Sequence, residues 1–362
     1  MAGLALHRPV PRYRARGREG GDRAAERRYG IICHGQNRQE HPQEPGVAPT
    51  GMSATILDGR RIAAEIRAEV GVQVHALRQS GHQPRLAVVL VGDNAASAVY
   101  VRGKVKACAE LGIASEQVLP RADIRTAELH RIIAGLNANP AVDGILVQLP
   151  LPAHIDAREI LVAVDPDKDV DGFHPLNVGN LVAGRPGPRP CTPAGIIELL
   201  RRHRIAMEGQ EAVVVGRSDI VGKPMALLLL QENATVTIAH SRTRDLAAVC
   251  RRADILVAAV GRPGFLGRDA IRTGAVVVDV GMNRLTDPTA VDRFYPGDEQ
   301  RRAAFARNGS TLIGDVDPVA AMELAAAFTP VPGGVGPLTI AMLMANTVAA
   351  AQRHVSRSKP TP

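Results

Sequence analysis

Short apolar runs alternate with stretches of helical periodicity along most of the chain. In the first half the order is helix 60–79, strand 85–91, helix 97–111, a short strand ending at Leu119, helix 126–138 and strand 144–149. Strands that alternate with helices of about 10–15 residues are typical of a parallel sheet covered by helices on both faces. The pattern therefore predicts an α/β domain, which we place at residues 52–192.

A second set of strands follows a segment rich in proline and glycine, residues 150–193. These strands are predicted at 212–215, 234–239, 254–260 and 275–280. Their spacing is that of repeated strand–helix units and predicts a Rossmann-like domain over residues 193–337. A last helix, 338–352, is expected to pack back on the first domain, and residues 353–362 are expected to form a flexible tail. The predicted fold class is α/β with two domains.

The chain has 362 residues and a formal net charge of +8, which raises the hypothesis of a basic nucleic-acid-binding protein. Most of this charge is terminal. Nine arginines and five acids give residues 1–51 a net +4, and the residues after Ala351 add +3, which leaves +1 for residues 52–350. The high net charge is therefore weak evidence for a nucleic-acid partner, and we predict none.

Residues 1–51 show no apolar periodicity and are rich in Arg, Gly, Pro and Gln. Such a composition buries too little apolar surface to offset the entropy of ordering. We expect a disordered or spuriously translated extension, with a nucleic-acid-binding arm as the alternative. The opening apolar stretch is too short for a secretory signal, and five acids without a serine do not fit a transit peptide.

The four cysteines, at positions 33, 108, 191 and 250, lie far apart and form no CxxC motif. They fit ordinary thiols of a reducing cytosol better than a disulfide framework or a zinc site. No apolar run approaches the roughly 18 residues that a membrane span needs. The sequence thus favours a cytoplasmic protein with no membrane partner.

A glycine pair follows the strand at 212–215. Gly216 and Gly222 bracket the turn into a helix that runs through Leu230. Glycine at a strand end lets backbone N–H groups approach a pyrophosphate, which the helix N-terminus also attracts. The spacing departs from the generic GxGxxG fingerprint, so a plain turn remains the alternative to a dinucleotide site.

The end of the next strand indicates which dinucleotide would bind. NAD-binding domains carry an acid there to bond the ribose 2′-hydroxyl. Here the segment from His240 to Arg244 contains cations and hydroxyls and no acid. Such a cluster suits a 2′-phosphate, and NADP is favoured over NAD. A solvated basic turn is the alternative.

Ser97, Tyr100 and Lys104 recur at helical spacing and share one face of the helix 97–111. A partly buried Lys can exchange protons near neutral pH, and a neighbouring Tyr can stack on an aromatic substrate or donate a hydrogen bond. An exposed helix with incidental Tyr and Lys is the alternative. Short-chain dehydrogenases use the same pair after their nucleotide loop and within one domain, and the reverse order here argues against them.

Three further segments are candidates for the same cleft. Gln148 ends a strand, where open α/β sheets bind ligands. The loop from Lys168 to His174 carries two acids that could hold a metal, cap a helix or bind an amidine-like substrate edge. No nearby cluster completes a divalent-cation site, so we predict no metal. The Pro- and Gly-rich segment 329–339 is either a linker or a wall against a flat ligand.

Together these residues closely resemble the bifunctional methylenetetrahydrofolate dehydrogenase/methenyltetrahydrofolate cyclohydrolase family, over about residues 53–350. The matching stretches are Tyr100–Lys104, Val147–Pro152, Lys168–Gly172, Cys191–Pro193, Gly216–Ser218, Asp279–Gly281 and Pro332–Pro337. Each stretch is a weak signal alone, and their shared order makes the joint signal strong.

The resemblance implies a role for each matching position. Lys104 would be the acid/base group of the hydrolysis, Gln148 would keep its amine poised, Tyr100 would stack on the aminobenzoyl ring, and Asp171 would bind the pterin. The remaining substrate-binding residues would be Val147, Leu149, Pro332, Gly333, Gly334 and Pro337. NADP would be held by Gly216, Arg217, Ser218, Ser241, Gly281 and Met282. The family also implies tetrahydrofolate derivatives as substrates and a homodimer.

The chain departs from the family's short forms in two places. Residues 284–310 are longer and polar and are expected to form an extra helix or lobe. Residues 1–51 have no counterpart. Two alternatives remain open at this point: another two-domain NADP-dependent dehydrogenase, of the amino-acid or shikimate type, and a basic nucleic-acid-binding protein.

Overall fold

Strands and helices alternate from Thr55 onward in the computed structural model, which describes residues 53–358. The predicted extension at 1–51 and the last four residues lie outside the described part. The strands are β1 Thr55–Ile56, β2 Arg85–Val89, β3 Ala114–Val118, β4 Gly144–Val147, β5 Glu211–Val215, β6 Thr235–Ala239, β7 Ile255–Ala258, β8 Val276–Asp279, β9 Asn283–Leu285, β10 Thr311–Ile313 and β11 Ala327–Phe328.

The helices of the described part cover both sheets. They are α1 Gly59–Gln79, α2 Ala95–Leu111, α3 Thr126–Ala138, α4 Ala157–Ala163, α5 Pro175–Val182, α6 Cys191–Arg202, α7 Gly222–Gln231, α8 Leu246–Cys250, α9 Pro288–Phe294, α10 Glu299–Asn308, α11 Pro318–Leu324 and α12 Val335–Ser358. A short 3₁₀ turn, Arg268–Ala270, precedes β8.

The first sheet has three parallel strands in the order β3-β2-β4. The residues of β4 are buried, whereas the edge strand β3 alternates between half-buried and exposed residues. Helix α1 packs chiefly on α12 and buries an apolar stripe in the core that both helices share with this sheet. It begins where the Asp58 carboxylate accepts N–H bonds from Arg60 and Arg61. This half of the chain has the predicted α/β fold.

The second sheet has six parallel strands in the order β1-β11-β8-β7-β5-β6. Its edge strand β1 comes from the start of the described chain, far in sequence from its partner β11. Two residues are too few for periodicity to reveal, so the sequence did not predict this strand. The Rossmann-like sheet itself is confirmed, with β5, β7 and β8 at its centre.

Helix α12 joins the two halves by packing on α1, α2 and α6. At Gly195 the helices α6 and α12 come so close that an added Cβ would lie 2.7 Å from Leu338 Cβ. The predicted return of the C-terminal helix is confirmed, but α12 begins at Val335 and continues to Ser358. The expected flexible tail is therefore wrong for residues 353–358, which form the last turns of this helix.

Residues 335–357 of α12 are long and apolar enough to span a membrane by length and composition alone. Half of the relevant window is buried inside the protein, as expected for a core helix that packs against several others. The sequence has no continuous apolar run of this length, because small and polar residues interrupt the apolar ones in this segment. These residues do not end the helix, so its length and mean hydropathy still meet the criteria for a membrane span.

The polar segment 284–310 forms a small lobe, as expected. Helices α9 and α10 stand on the antiparallel pair β9–β10 and enclose their own apolar cluster around Phe294. The Pro-rich segment 150–193, expected to be loop-rich, also contains α4, α5 and the start of α6. The predicted domain boundary at 192–193 lies in the first turn of α6.

Candidate active site

A cavity of about 610 Å³ lies between the two sheets, at the carboxyl ends of their strands. Ligands of open α/β sheets bind at this edge. The cavity lies beside α2, the turn after β4, the turn after β5, the end of β8 and the segment between β11 and α12. Its lining comprises residues 94, 97, 100, 104, 148–150, 192, 220–221, 279–282, 330–336, 339 and 340.

Lys104 and Gln148 meet on one wall of this cavity. Lys104 Nζ donates a hydrogen bond to Gln148 Oε1 at 3.0 Å. The Gln148 amide nitrogen donates to the Leu149 carbonyl at 2.6 Å, which turns the amide oxygen toward the lysine. The ammonium group is thus held by a neutral acceptor that leaves its remaining protons available to a ligand in the cavity.

Tyr100 lies one turn before Lys104 on the same face of α2, and its hydroxyl donates to Met282 Sδ. Met282 follows β8 of the other sheet, so this contact spans the cavity between the two halves. Partial burial raises the pKa of the Tyr100 phenol, and the residue is still 43% exposed. A flat ligand could therefore stack on the exposed face of the Tyr100 ring, whose hydroxyl stays protonated.

Most polar side chains of the loop from Lys168 to His174 make hydrogen bonds that hold the fold, and one acid remains for the site. Lys168 donates to three carbonyl oxygens at the end of α3, and the buried Asp169 accepts N–H bonds from Gly172 and His174. The His174 ring accepts the Leu176 N–H and caps α5. These three residues are structural, which leaves Asp171 as the acid of the loop that can serve a ligand.

Asp171 is close enough to Lys104 for their charges to interact, although it does not line the cavity. Desolvation raises the pKa of the Asp171 carboxyl to about 6, Lys104 opposes this rise, and Asp169 adds to it. The carboxyl therefore changes its charge slightly below neutral pH.

Two buried carboxylates, Asp279 and Asp315, fix the loops at the end of the second sheet. Asp279 accepts N–H bonds from Gly281, Asp315 and Val316, and Asp315 accepts three N–H bonds from residues 260–262. Burial raises the pKa of Asp279 to about 7, against the effect of its N–H donors. No sequence pattern indicates Asp315, because the inserted lobe separates it from Asp279 along the chain.

The segment between β11 and α12 forms the opposite wall, and the start of α1 holds it in place. A Cβ at Gly59 would lie 1.7 Å from the Gly334 carbonyl oxygen, so a side chain at position 59 would displace this wall. Thr192 and Thr339 share a hydrogen bond of 2.8 Å at its edge. The segment therefore forms one wall of the cavity, and the flat ligand expected against it stays a prediction.

Gly216 and Gly222 make the tight turn after β5. A Cβ at Gly216 would lie 2.2 Å from the Ala259 oxygen, and a Cβ at Gly222 would lie 2.3 Å from the Gly216 oxygen. Gly216 also has φ near 130°, a conformation that L side chains rarely adopt. Ser218 Oγ accepts hydrogen bonds from the N–H groups of Val221 and Gly222, which fixes the conformation of the turn at the start of α7.

The basic segment after β6 lies beside this turn, because β5 and β6 pair in parallel and end together. The His240 N–H donates to Thr243 Oγ1, which folds the segment into a turn. Ser241, Arg242 and Arg244 are exposed there. Within residues 53–358, no ion pair engages these arginines or Arg217. The residues present thus fit a ligand with an additional phosphate.

Most of the predicted site residues meet at the cavity, namely Ser97, Tyr100, Lys104, Gln148, Leu149, Gly281, Met282, Pro332, Gly333 and Gly334. Gly216, Arg217, Ser218 and Ser241 lie outside its lining, at the ends of β5 and β6.

Three residues predicted to bind substrate do not line this cavity, namely Asp171, Val147 and Pro337. The Val147 side chain is buried in the core beneath the first sheet. Pro337 is turned about 100° around α12 from Gly336, whereas Thr339 and Ile340 share the face of Gly336 that lines the cavity. Asn94 lines the cavity without having been predicted, and its side chain accepts the Ser97 N–H at the start of α2. An Asn just before a helical pattern is the signal that could have found it.

Comparison with known proteins gives matches over almost all described residues. The family model "tetrahydrofolate dehydrogenase/cyclohydrolase, catalytic domain" matches residues 57–171, and the corresponding "NAD(P)-binding domain" matches residues 190–355. The chain is 62% identical over 301 residues to the bifunctional protein FolD of Koribacter versatilis, which covers 83% of this chain and 98% of that protein.

Solved structures give the same result. FolD methylenetetrahydrofolate dehydrogenase/cyclohydrolase from Campylobacter jejuni is 43% identical with a TM-score of 0.76, covering 83% of this chain and 99% of that one. The Trypanosoma brucei enzyme, solved in complex with NADP and an inhibitor, is 39% identical with a TM-score of 0.76, covering 84% and 99%.

Proposed function

The chain belongs to the tetrahydrofolate dehydrogenase/cyclohydrolase family, and on that premise we propose how its own side chains perform the two reactions. The enzyme oxidises 5,10-methylenetetrahydrofolate to the methenyl compound with NADP and hydrolyses that product to 10-formyltetrahydrofolate. The relatives favour this function over an amino-acid or shikimate dehydrogenase and over a nucleic-acid-binding protein.

In the oxidation, the chain's task is to position the substrate. NADP, when bound, would supply the acceptor for a hydride from the methylene carbon. We assign its phosphate-bearing half to Gly216, Arg217, Ser218 and Ser241, where the glycine turn and the unpaired cations fit it. Gly281 and Met282, on the cavity, would face its nicotinamide half. Tyr100, bonded to Met282, would stack on the aminobenzoyl ring and so align the substrate with this end of the cavity. Such alignment can supply most of the rate of a hydride transfer.

In the hydrolysis, Lys104 transfers a proton. Its neutral amine would accept a proton from the water that attacks the methenyl carbon, and its ammonium form would then protonate the ring nitrogen that leaves as the bridge opens. The second proton of that water, carried by the new hydroxyl group, would be released to solvent as the C–O bond becomes the formyl carbonyl. Gln148 Oε1, at 3.0 Å, orients the amine for both transfers without adding a charge. Asp171 would accept N–H bonds from the pterin and hold the substrate against Lys104.

The observation that carries this proposal is the single cavity that contains Lys104, Gln148, Tyr100 and Met282 together. If both reactions take place in one cavity, a ligand that fills the folate site must inhibit both of them. A folate analogue that competes with methylenetetrahydrofolate in the NADP reduction should inhibit methenyl hydrolysis with the same inhibition constant. Inhibition of only one activity at saturating analogue would contradict a shared site.

The assembly and location of the enzyme are part of the same proposal. We propose a homodimer in the cytoplasm, with no nucleic-acid or membrane partner, on the strength of the family resemblance and the near-neutral charge of residues 52–350. Sedimentation equilibrium should give twice the 38.4 kDa mass of the chain. A monomer mass at the concentration of the activity assay would contradict the dimer.

A further inference from the structure

A second group of polar side chains lies at the amino ends of the strands of the first sheet, opposite the end that borders the cavity. It consists of His82, Asp143 and His354, which come from three separate parts of the chain. His82 follows α1, Asp143 precedes β4, and His354 lies near the end of α12. One ligating atom from each side chain lies within 4.8 Å of the other two. The three positions are too distant in sequence for any spacing motif to reveal them.

The Asp143 carboxylate is the centre of this group and is fully buried. Its Oδ1 is 2.9 Å from His82 Nε2 and 3.0 Å from His354 Nδ1. Its Oδ2 is 3.0 Å from the same His82 nitrogen and accepts the Arg85 N–H at 2.9 Å. The two imidazoles meet edge to face, with their centroids 5.8 Å apart. Each ring therefore directs a nitrogen at the same carboxylate oxygen.

We propose that His82, Asp143 and His354 form a binding site for Zn²⁺ or a chemically similar divalent transition metal. Two imidazole nitrogens and one carboxylate oxygen are a donor set that zinc takes, with water as a fourth ligand. Bonds of about 2.0–2.1 Å to a tetrahedral metal place the ligand atoms roughly 3.3 Å apart. The two nitrogen–oxygen separations of 2.9 and 3.0 Å need to open by only a few tenths of an ångström. The two imidazole nitrogens, which lie within 4.8 Å of each other, would take the same separation by small side-chain rotations.

The surroundings suit this metal better than calcium or magnesium. Two of the three donors are nitrogens, whereas the alkaline-earth ions prefer oxygen ligands throughout. The Arg85 N–H holds the Asp143 carboxylate in place through Oδ2, as supporting hydrogen bonds do in many metal sites. The His82 and His354 side chains are 24% and 33% exposed, which leaves a path for the ion and its water.

Lys168 is near enough to Asp143 for their charges to interact. Its ammonium group nevertheless donates to carbonyl oxygens at the end of α3, so the lysine does not occupy the carboxylate.

A metal here would fasten the end of α12 to the first sheet. The start of α12 lines the active-site cavity, but Thr339 and His354 are fifteen residues apart, about 22 Å along the helix. The metal would therefore stabilise the fold without touching substrate. Because binding occurs only in the folded chain, it should raise the melting temperature.

The test is zinc titration of the full-length chain after treatment with a chelator, followed by competition with a chromophoric chelator. In a second titration with Co²⁺, the visible absorption spectrum reports the coordination geometry of the bound metal. The variants His82→Asn and His354→Gln keep an amide that can hydrogen-bond to Asp143, so they preserve the fold while removing a metal ligand. His130→Asn is the matched control, because His130 pairs with Glu159 at 2.8 Å in a two-member group.

We expect the wild type and His130→Asn to bind one zinc at this site and to melt at a higher temperature with zinc. In His82→Asn and His354→Gln the affinity should fall at least 100-fold and the shift in melting temperature should disappear. Absence of binding in the wild type, or binding and stabilisation that persist in both variants, would overturn the proposal. Circular dichroism of each variant without metal identifies any that fails to fold, and the other variant then decides.

Discussion

Replacing Lys104 by Met should separate the two activities. Met has nearly the length and volume of Lys but no ammonium group, so α2 and the cavity wall keep their packing. The change removes the group that lies 3.0 Å from Gln148 Oε1 and that we assign to proton transfer. Tyr100, one turn away, and its contact with Met282 should remain.

The size of the effect follows from what each step needs. Positioned acid–base groups contribute about 10²–10⁴-fold, or roughly 3–5 kcal/mol of barrier, so cyclohydrolase kcat should fall by this factor. Hydride transfer requires alignment and no proton from Lys104, so the dehydrogenase should change less than about tenfold. The half-buried Gln148 can bond to water instead, which limits the loss of stability to about 1 kcal/mol.

The assay follows each half-reaction separately. Loss of added methenyltetrahydrofolate reports hydrolysis, and formation of NADPH from methylenetetrahydrofolate reports oxidation. Lys106→Met is the control, because Lys106 lies on the same helix with a side chain 78% exposed. Wild-type hydrolysis by Lys104→Met would refute the assignment, as would a parallel loss of both activities in a folded variant.

Further predictions concern the substrate, the cofactor turn and the inserted lobe. Because a protonated Asp171 has lost its charge and one of its acceptor oxygens, it would bind the pterin N–H groups more weakly. KM for the folate should therefore rise as the pH falls through about 6, and Asp171→Asn should show a high KM without this dependence in a pH series. Gly222→Ala should raise KM for NADP at least tenfold, because the added Cβ would collide with the backbone of the turn. Gly135→Ala is the control and should leave KM unchanged, because a Cβ at position 135 has no neighbour within 4 Å. Arg244→Ala should reduce the preference for NADP over NAD at least tenfold in kcat/KM, and an unchanged ratio would show that another group binds the 2′-phosphate. Arg301 donates to the Val331 carbonyl, so Arg301→Met should raise KM for the folate more than it lowers kcat.

The repeating strand–helix pattern was sufficient to predict both sheets, because the central strands are buried and read as continuous apolar runs. Strand β4, for example, has four buried residues. Strand β1 could not be predicted, since its two residues are set by pairing with β11 at the far end of the sequence. The continuation of α12 through His354 also depends on tertiary contacts and not on local pattern.

The site divides in the same way. Tyr100 and Lys104 could be found because helical spacing places them on one face, and the glycine turn after β5 because its backbone needs glycine. The loop at 168–174 shows the limit, since sequence offers two acids and only the structure separates the structural Asp169 from Asp171 near Lys104. Asp315 and the group at His82 depend on contacts between distant segments, which no single-sequence pattern records.

The most direct test of the central claim is the reaction of purified full-length enzyme with methylenetetrahydrofolate and either NADP or NAD at matched concentrations. The account predicts that methenyltetrahydrofolate absorbance rises with NADP and then falls as 10-formyltetrahydrofolate forms, with far slower turnover of NAD. Equal turnover of the two dinucleotides would contradict the cofactor assignment. No methenyl product with NADP would contradict the function itself.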